Sequence, residues 1–194
     1  MATEQRLEKI KAVARRRQQG VVVLQDVHDP HNAAAVLRTC DAFGIQKVCF
    51  IFELEKKYNP KKVGKATSSS ANKWLDFSVY TSTEKCLKDL RRQGYRIYAT
   101  ILDNQAKSIF KTKFTPHKKI ALMFGNEHRG LSEKAMNLAH HKLYIPMAGF
   151  VQSLNLSVTA AICLFELTRQ RQGKRFFMTS QSSLNILVKK WLKM

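Results

Sequence analysis

The chain has 194 residues and a formal charge of +20, from 34 Lys and Arg against 14 Asp and Glu. That length suits one domain burying roughly 70% of its unfolded surface, so a core can form without disulfides or metals. No run of 18 apolar residues occurs, and the stretch MATEQRLEKIKAVARRRQ has no apolar signal core; a cytoplasmic protein with no membrane span and a polyanionic partner is expected.

Residues 4–18 read as a basic helix closed by Gly20. VVVLQDV (21–27) reads as a buried strand, HDPHN as a turn, and AAAVLRTCDAFG as a helix that Asn32 can cap and Gly44 ends. KVCFIF (47–52) is a second strand, followed by a polar, lysine-rich crossover that includes GKATSSSANKWL. FSVY (77–80) is a short strand, and STEKCLKDLRRQG a helix capped by Ser82 or Thr83 and ended by Gly94. RIYATIL (96–102), IALMF (120–124) and KLYI (142–145) complete an alternation of strands and helices, which predicts an α/β domain built on a mostly parallel sheet. The last long helix, from about Asn155 to Arg171, is apolar nearly all round in its first three turns, so it must be central or form an oligomer interface. The terminal piece SSLNILVKKWLK is amphipathic and is expected to dock on the body or on a second subunit.

Charge is concentrated at the ends. Residues 1–20 contribute +4 and residues 167–194 contribute +7 of the total. A solvated face usually mixes both signs, so these flanks read as phosphate grips, with Arg15, Arg16, Arg17, Arg169, Arg171 and Lys174 as the candidates for binding a polyanion. The cysteines Cys40, Cys49, Cys86 and Cys163 form no CxxC pair, which favours a reduced intracellular protein over a zinc site. HDPHN and His140-His141 lack a third ligand at useful spacing, so no metal is expected. GNEHRG is not a P-loop, no GxGxxG follows the first strand, and no nucleophile elbow is present.

Three stretches remain, each at the C-terminal end of a predicted strand, where open α/β sheets place ligands. They are NAAAVLR (32–38), LMFGNEHRG (122–130) and IPMAGFVQSLNLSVTAAICLFE (145–166). Singly, each has an ordinary structural reading: Asn32, Ser153 and Asn155 as helix caps, Arg38 as an ion-pair partner, Glu127 as a helix-dipole residue. Together they resemble the three ordered motifs of the SpoU branch of the SPOUT RNA methyltransferases, over residues 21–172. The short basic arms, with no added RNA-binding domain, make the chain most similar to those that act on the 2′-hydroxyl of guanosine 18 in the tRNA D-loop.

That resemblance implies a SPOUT fold with a C-terminal trefoil knot, a homodimer, tRNA as substrate and S-adenosylmethionine as methyl donor. It divides the chain into a basic N-terminal helix (1–20), a catalytic domain (21–172) and a basic, amphipathic C-terminal extension (173–194). It assigns Arg38 to catalysis with Asn32, Glu127, Ser153 and Asn155, and donor contacts to Thr100, Leu122, Gly125, Ile145, Met147 and Leu154. Arginine keeps its proton in proteins, so Arg38 is expected to clamp a phosphate and hold the 2′-hydroxyl instead of acting as a base. Two other readings stay open: a SpoU-type enzyme for another tRNA position or ribosomal RNA, and a non-catalytic RNA-binding protein of the same fold.

Overall fold

The computed structural model describes residues 3–62, 71–103, 106–173, 176–178 and 180–194. Residues 63–70 of the lysine-rich crossover, and Lys174, lie outside the described residues. Among those described, the strands β1 (Gln18–Gln25), β2 (Ile45–Ile51), β3 (Asp76–Tyr80), β4 (Arg96–Thr100), β5 (Lys107–Ser108), β6 (Ile120–Phe124) and β7 (His141–Tyr144) form one sheet. Its order is β3-β2-β1-β6-β4-β7-β5, and every neighbouring pair is parallel.

Successive side chains of a strand point to opposite faces, and a parallel sheet covered on both sides needs apolar residues at nearly every position. On one face Val22, Leu24, Phe50, Leu122 and Phe124 pack against α2 (Pro30–Ala42) and α6 (Leu156–Gln170), through Val36, Leu37, Cys163 and Leu164. On the other, Val21, Val23, Cys49, Ile51 and Met123 meet Leu87 and Leu90 of α4 (Thr83–Arg92) and Ala135 of α5 (Glu133–Leu138). The central strands β1 and β6 are therefore the most buried, and their C-terminal ends open side by side.

Four local expectations are revised. The first helix, α1 (Glu4–Ala14), stops before the arginines, and Gly20 lies inside β1 and not at a helix end, because Gln18 already pairs its N–H with Gly44 O at 2.7 Å. Asp29, not Asn32, caps α2, accepting from His31 N at 2.8 Å ahead of Pro30, whose fixed φ suits the first helical position. The short β5 and α5, and the one-turn helix α3 (Ala71–Trp74), carry too little periodicity to be read from sequence. Along α6, Val158 and Phe165 remain 45% and 56% exposed, so within one chain the helix is not buried on all sides.

The two ends of the chain form one clasp. Ile10 and Ala14 of α1 pack on Leu187 and Trp191 of α7 (Gln181–Leu192). Trp191 is almost wholly buried and donates its indole N–H to Trp74 O at 3.1 Å, while Lys190 pairs with Asp76 on β3. Arg17 is equally buried: its guanidinium carbon lies 5.0 Å from the Trp191 ring centre and Nη2 lies 2.5 Å from Asp41 Oδ1. Arg171 is also interior, donating to Lys118 O at 2.5 Å and lying over Phe176. Neither guanidinium faces outward, so both drop out of the set of phosphate grips; a buried charge needs a fixed partner, and these have theirs inside the protein.

Removing the ring at the centre of the clasp leaves a large cavity and strips Arg17 of its cover, so Trp191→Ala should cost about 3–5 kcal/mol. Urea unfolding measures it. A loss below about 1 kcal/mol would mean that the tail merely lies on the body.

Candidate active site

The site forms where β1 and β6 end. Asp26, the first residue after β1, adopts a positive φ of 49°, and its side chain makes that turn stable: Oδ1 accepts from the N–H groups of Glu53, Leu54 and Glu55 at 2.8, 2.9 and 3.1 Å. The chain then runs through His28 and Asp29 into α2. After β6, residues 125–130 make a tight loop in which Asn126 and Gly130 exchange main-chain hydrogen bonds at 3.0 and 2.9 Å. A Cβ on Gly125 would sit 2.2 Å from Gly130 C, so only glycine fits there.

Asn126 ties this loop to the first. Its Nδ2 donates to Asp26 O at 2.7 Å, and its Oδ1 accepts from His128 N and Arg129 N at 2.9 and 3.0 Å. Sequence reasoning passed over Asn126; the signal was there, since Asn caps tight turns through its own side chain. Glu55 adds a second tie on the exposed side, accepting from His28 Nδ1 at 2.9 Å and Arg129 Nη2 at 2.5 Å. His28 and Arg129 hold the Glu55 carboxyl below its usual range, and Glu55 raises His28 in return.

Held in this way, Glu127 becomes the hub. It accepts from His28 N at 2.9 Å, Asp29 N at 3.2 Å and the Asn32 side-chain amide at 2.9 Å. Burial raises its pKa, but the Asn32 amide and the main-chain donors together outweigh burial and leave the carboxyl below the usual range. Since Nδ2 of Asn32 faces Glu127, its Oδ1 is turned outward, where it accepts from Asn155 Nδ2 at 3.0 Å. Asn155 in turn caps α6, its Oδ1 accepting from Ser157 N at 2.8 Å and from the Ser157 hydroxyl at 2.7 Å. The three predicted motifs thus meet in one chain of contacts, Glu127 to Asn32 to Asn155.

The other predicted residues are placed differently. Arg38 is exposed on α2, about 9 Å further along the helix axis than Asn32, and has no hydrogen-bond partner among the described residues. Ser153 is exposed and likewise makes no hydrogen bond to a described residue. Ile145, Met147 and Leu154 are half-buried. The Thr100 hydroxyl donates to Met123 O at 2.9 Å, and Gly125 is buried at the end of β6. Leu122 lies deeper, between Val22 and Tyr98 in the sheet, so its side chain backs the wall from the core.

The sequence profile of the SpoU rRNA methylase family matches residues 19–165. The chain belongs to that family. It is 40% identical over 173 residues to a tRNA (guanosine(18)-2′-O)-methyltransferase of Thermus thermophilus, covering 87% of this chain and 84% of that one. Among solved structures, the TrmH/SpoU tRNA modifying enzyme of A. aeolicus superposes with a TM-score of 0.87 at 30% identity, covering 98% of this chain and 96% of that one. The SpoU methyltransferase AviRb of Streptomyces viridochromogenes, solved in complex with AdoMet, gives a TM-score of 0.67 at 27% identity over 81% of this chain and 61% of that one.

The residues present fit such a donor. Between β7 and α6, the main chain of residues 146–153 makes no hydrogen bond to any described residue, although Pro146 and Met147 are half-buried. Main chain that makes no hydrogen bond to a described residue, beside the half-buried Ile145, Met147 and Leu154, suits a ligand that combines a purine, a ribose and an amino acid.

Asn155 serves both as cap and as partner of Asn32, and the two roles separate by substitution. Ser caps as well as Asn, so Asn155→Ser should leave stability within about 0.5 kcal/mol, whereas Asn155→Ala should cost about 1 kcal/mol. Both lose the bond to Asn32 and should lose turnover together. Thermal unfolding set beside methyl-transfer rates distinguishes this from a pure cap, for which Asn155→Ser would retain full activity.

Proposed function

We propose that this chain transfers a methyl group from S-adenosylmethionine to the ribose 2′-hydroxyl of guanosine 18 in the D-loop of tRNA. The observation that carries it is the convergence of Glu127, Asn32 and Asn155 beside the open 146–153 main chain, in a chain so similar to enzymes named for that reaction. When bound, S-adenosylmethionine supplies a methyl group activated on a sulfonium. Thr100, Gly125, Ile145, Met147 and Leu154 hold it, with Leu122 behind them.

The rest of the chemistry belongs to the protein. Methyl transfer needs the ribose oxygen in line and its negative charge stabilised as the O–H bond weakens. Glu127 is a poor base, because its carboxylate already serves three donors and stays ionised. It is a positioning residue, as are Asn32 and Asn155. Arg38 is the catalytic residue: its exposed fork, which bonds to no described residue, binds a substrate phosphate oxygen, holds the 2′-hydroxyl against it and stabilises the developing alkoxide charge, with that phosphate as the candidate proton acceptor. Ser153, exposed on the loop ahead of Asn155, meets the ribose.

The same reading includes a C-terminal trefoil knot, a cytoplasmic homodimer and the division into a basic N-terminal helix (1–20), a catalytic domain (21–172) and a C-terminal extension (173–194). The exposed apolar side chains of Val158 and Phe165 on α6 support a second copy against that helix. Arg15 and Arg16 remain exposed phosphate grips; Arg169 shares its charge with Glu166 at 2.7 Å.

Incubation with labelled S-adenosylmethionine and total tRNA, followed by nucleoside mapping, tests the reaction. The expected product is 2′-O-methylguanosine at position 18, and label confined to ribosomal RNA would overturn the substrate. In the same assay Arg38→Lys should lose nearly all turnover while its unfolding curve stays within about 0.5 kcal/mol, since lysine keeps the charge and loses the fork.

A further inference from the structure

At the other end of the sheet, where β4 and β7 begin, lies a cleft of 530 Å³ that the methyl-transfer site does not use. Three rings form a ladder along it. Tyr98 and His141 stack at 4.5 Å between ring centres and His141 and His117 at 5.7 Å, both pairs tilted by 29°. Tyr98 is buried at the base; His117 is half-buried and His141 exposed, which leaves ring surface open to a ligand. Lys107 and Lys113 flank the ladder, both exposed and neither in an ion pair with a described residue, and no Asp or Glu lines the cleft. Lys142 is pulled aside, 3.7 Å from Asp103.

We propose that this cleft holds a second, unmodified nucleotide of the RNA, its base stacked on His117 and His141 and its phosphates on Lys107 and Lys113. The proposal rests on the RNA-methyltransferase reading for the identity of the substrate. The volume is that of a small-ligand pocket, and neutral rings combined with separate cations are what sequence-tolerant single-strand binding requires. Burial, and then the positive charge of neighbouring groups, lowers both His117 and His141, so at neutral pH the ladder stacks without charge and the lysines supply the attraction.

The cleft is built into the architecture of the first site. Gln170, the last residue of α6, fixes the 112–118 loop that forms one wall, accepting from Phe114 N and donating to Thr112 O, both at 2.9 Å. Arg171 holds the same loop through Lys118 O. The start of that helix is Asn155's cap in the methyl-transfer site, and 15 residues at helical rise separate the two by roughly 22 Å. The nucleotide held here is therefore not the one methylated. It fixes the reach of the RNA across the α6 face.

Two measurements on the full chain test this. In the first, NMR follows the histidine C2–H resonances while a single-stranded uridine trinucleotide or inorganic triphosphate is added. The trinucleotide should move His117 and His141 and raise their titration midpoints, and triphosphate should leave the ring shifts in place; equal response to both, or to neither, overturns a nucleotide site. In the second, Lys107→Ala/Lys113→Ala should raise KM for tRNA about tenfold, the equivalent of 1.4 kcal/mol, with kcat and the KM for S-adenosylmethionine within twofold. His117→Ala should do the same by removing a stacking face, and an unchanged KM in both variants contradicts the proposal. If the wild-type protein methylates no tRNA, the proposed activity fails, and the trinucleotide titration still decides the cleft.

Discussion

Three N–H donors converging on one carboxylate hold this site together. Glu127 draws His28 N, Asp29 N and the Asn32 amide to itself, and in doing so fixes the path of the β1–α2 turn against the β6 loop. It also orients the Asn32 amide, which is what lets Asn32 Oδ1 receive Asn155. Because Asn155 is the cap of α6, the order passes from a side-chain hydrogen bond to a 15-residue helix and to the loop ahead of it. Each link is modest in net energy, and each would leave a polar group poorly satisfied if removed, which is where its cost lies.

Around that hub, the fold assigns opposite tasks to the two ends of the sheet. The C-terminal ends gather the motif residues and the open main chain of 146–153. The N-terminal ends carry the ring ladder and, further along, the clasp of α1 and α7. Helix α6 connects the two regions, with Asn155 at its start and Gln170 and Arg171 gripping the 112–118 loop at its finish. A single helix thereby sets the distance between these two regions.

The sheet was legible because its strands are apolar at consecutive positions: Val21 to Leu24 and Ile120 to Phe124 can only be buried on both faces. The three motifs were legible as residue types, and the ordinary reading of Asn155 as a helix cap holds. What the letters withheld was partnership. Arg17 and Arg171 look like neighbours of Arg16 and Arg169 in a basic flank, yet Asp41 with Trp191, and Lys118 with Phe176, draw them inside. Asn32 looks like a cap until Asp29-Pro30 takes that place and leaves its amide for a glutamate 95 residues away. The aromatic identity of Tyr98 and the histidines 117 and 141 was visible in sequence, but their stacking depends on strand register, Tyr98 opposite His141, which composition does not encode.

A double-mutant cycle between Glu127→Gln and Asn155→Ser, read as kcat/KM for tRNA methylation, tests the central claim most directly. The two side chains share no hydrogen bond, and among the described residues Asn32 bonds to both. If Glu127 sets the Asn32 amide that receives Asn155, the double variant should lose little more activity than the worse single one, a coupling of about 1 kcal/mol or more. Losses that simply add, within about 0.3 kcal/mol, would mean that the carboxylate and the cap act independently, and the hub would not be one.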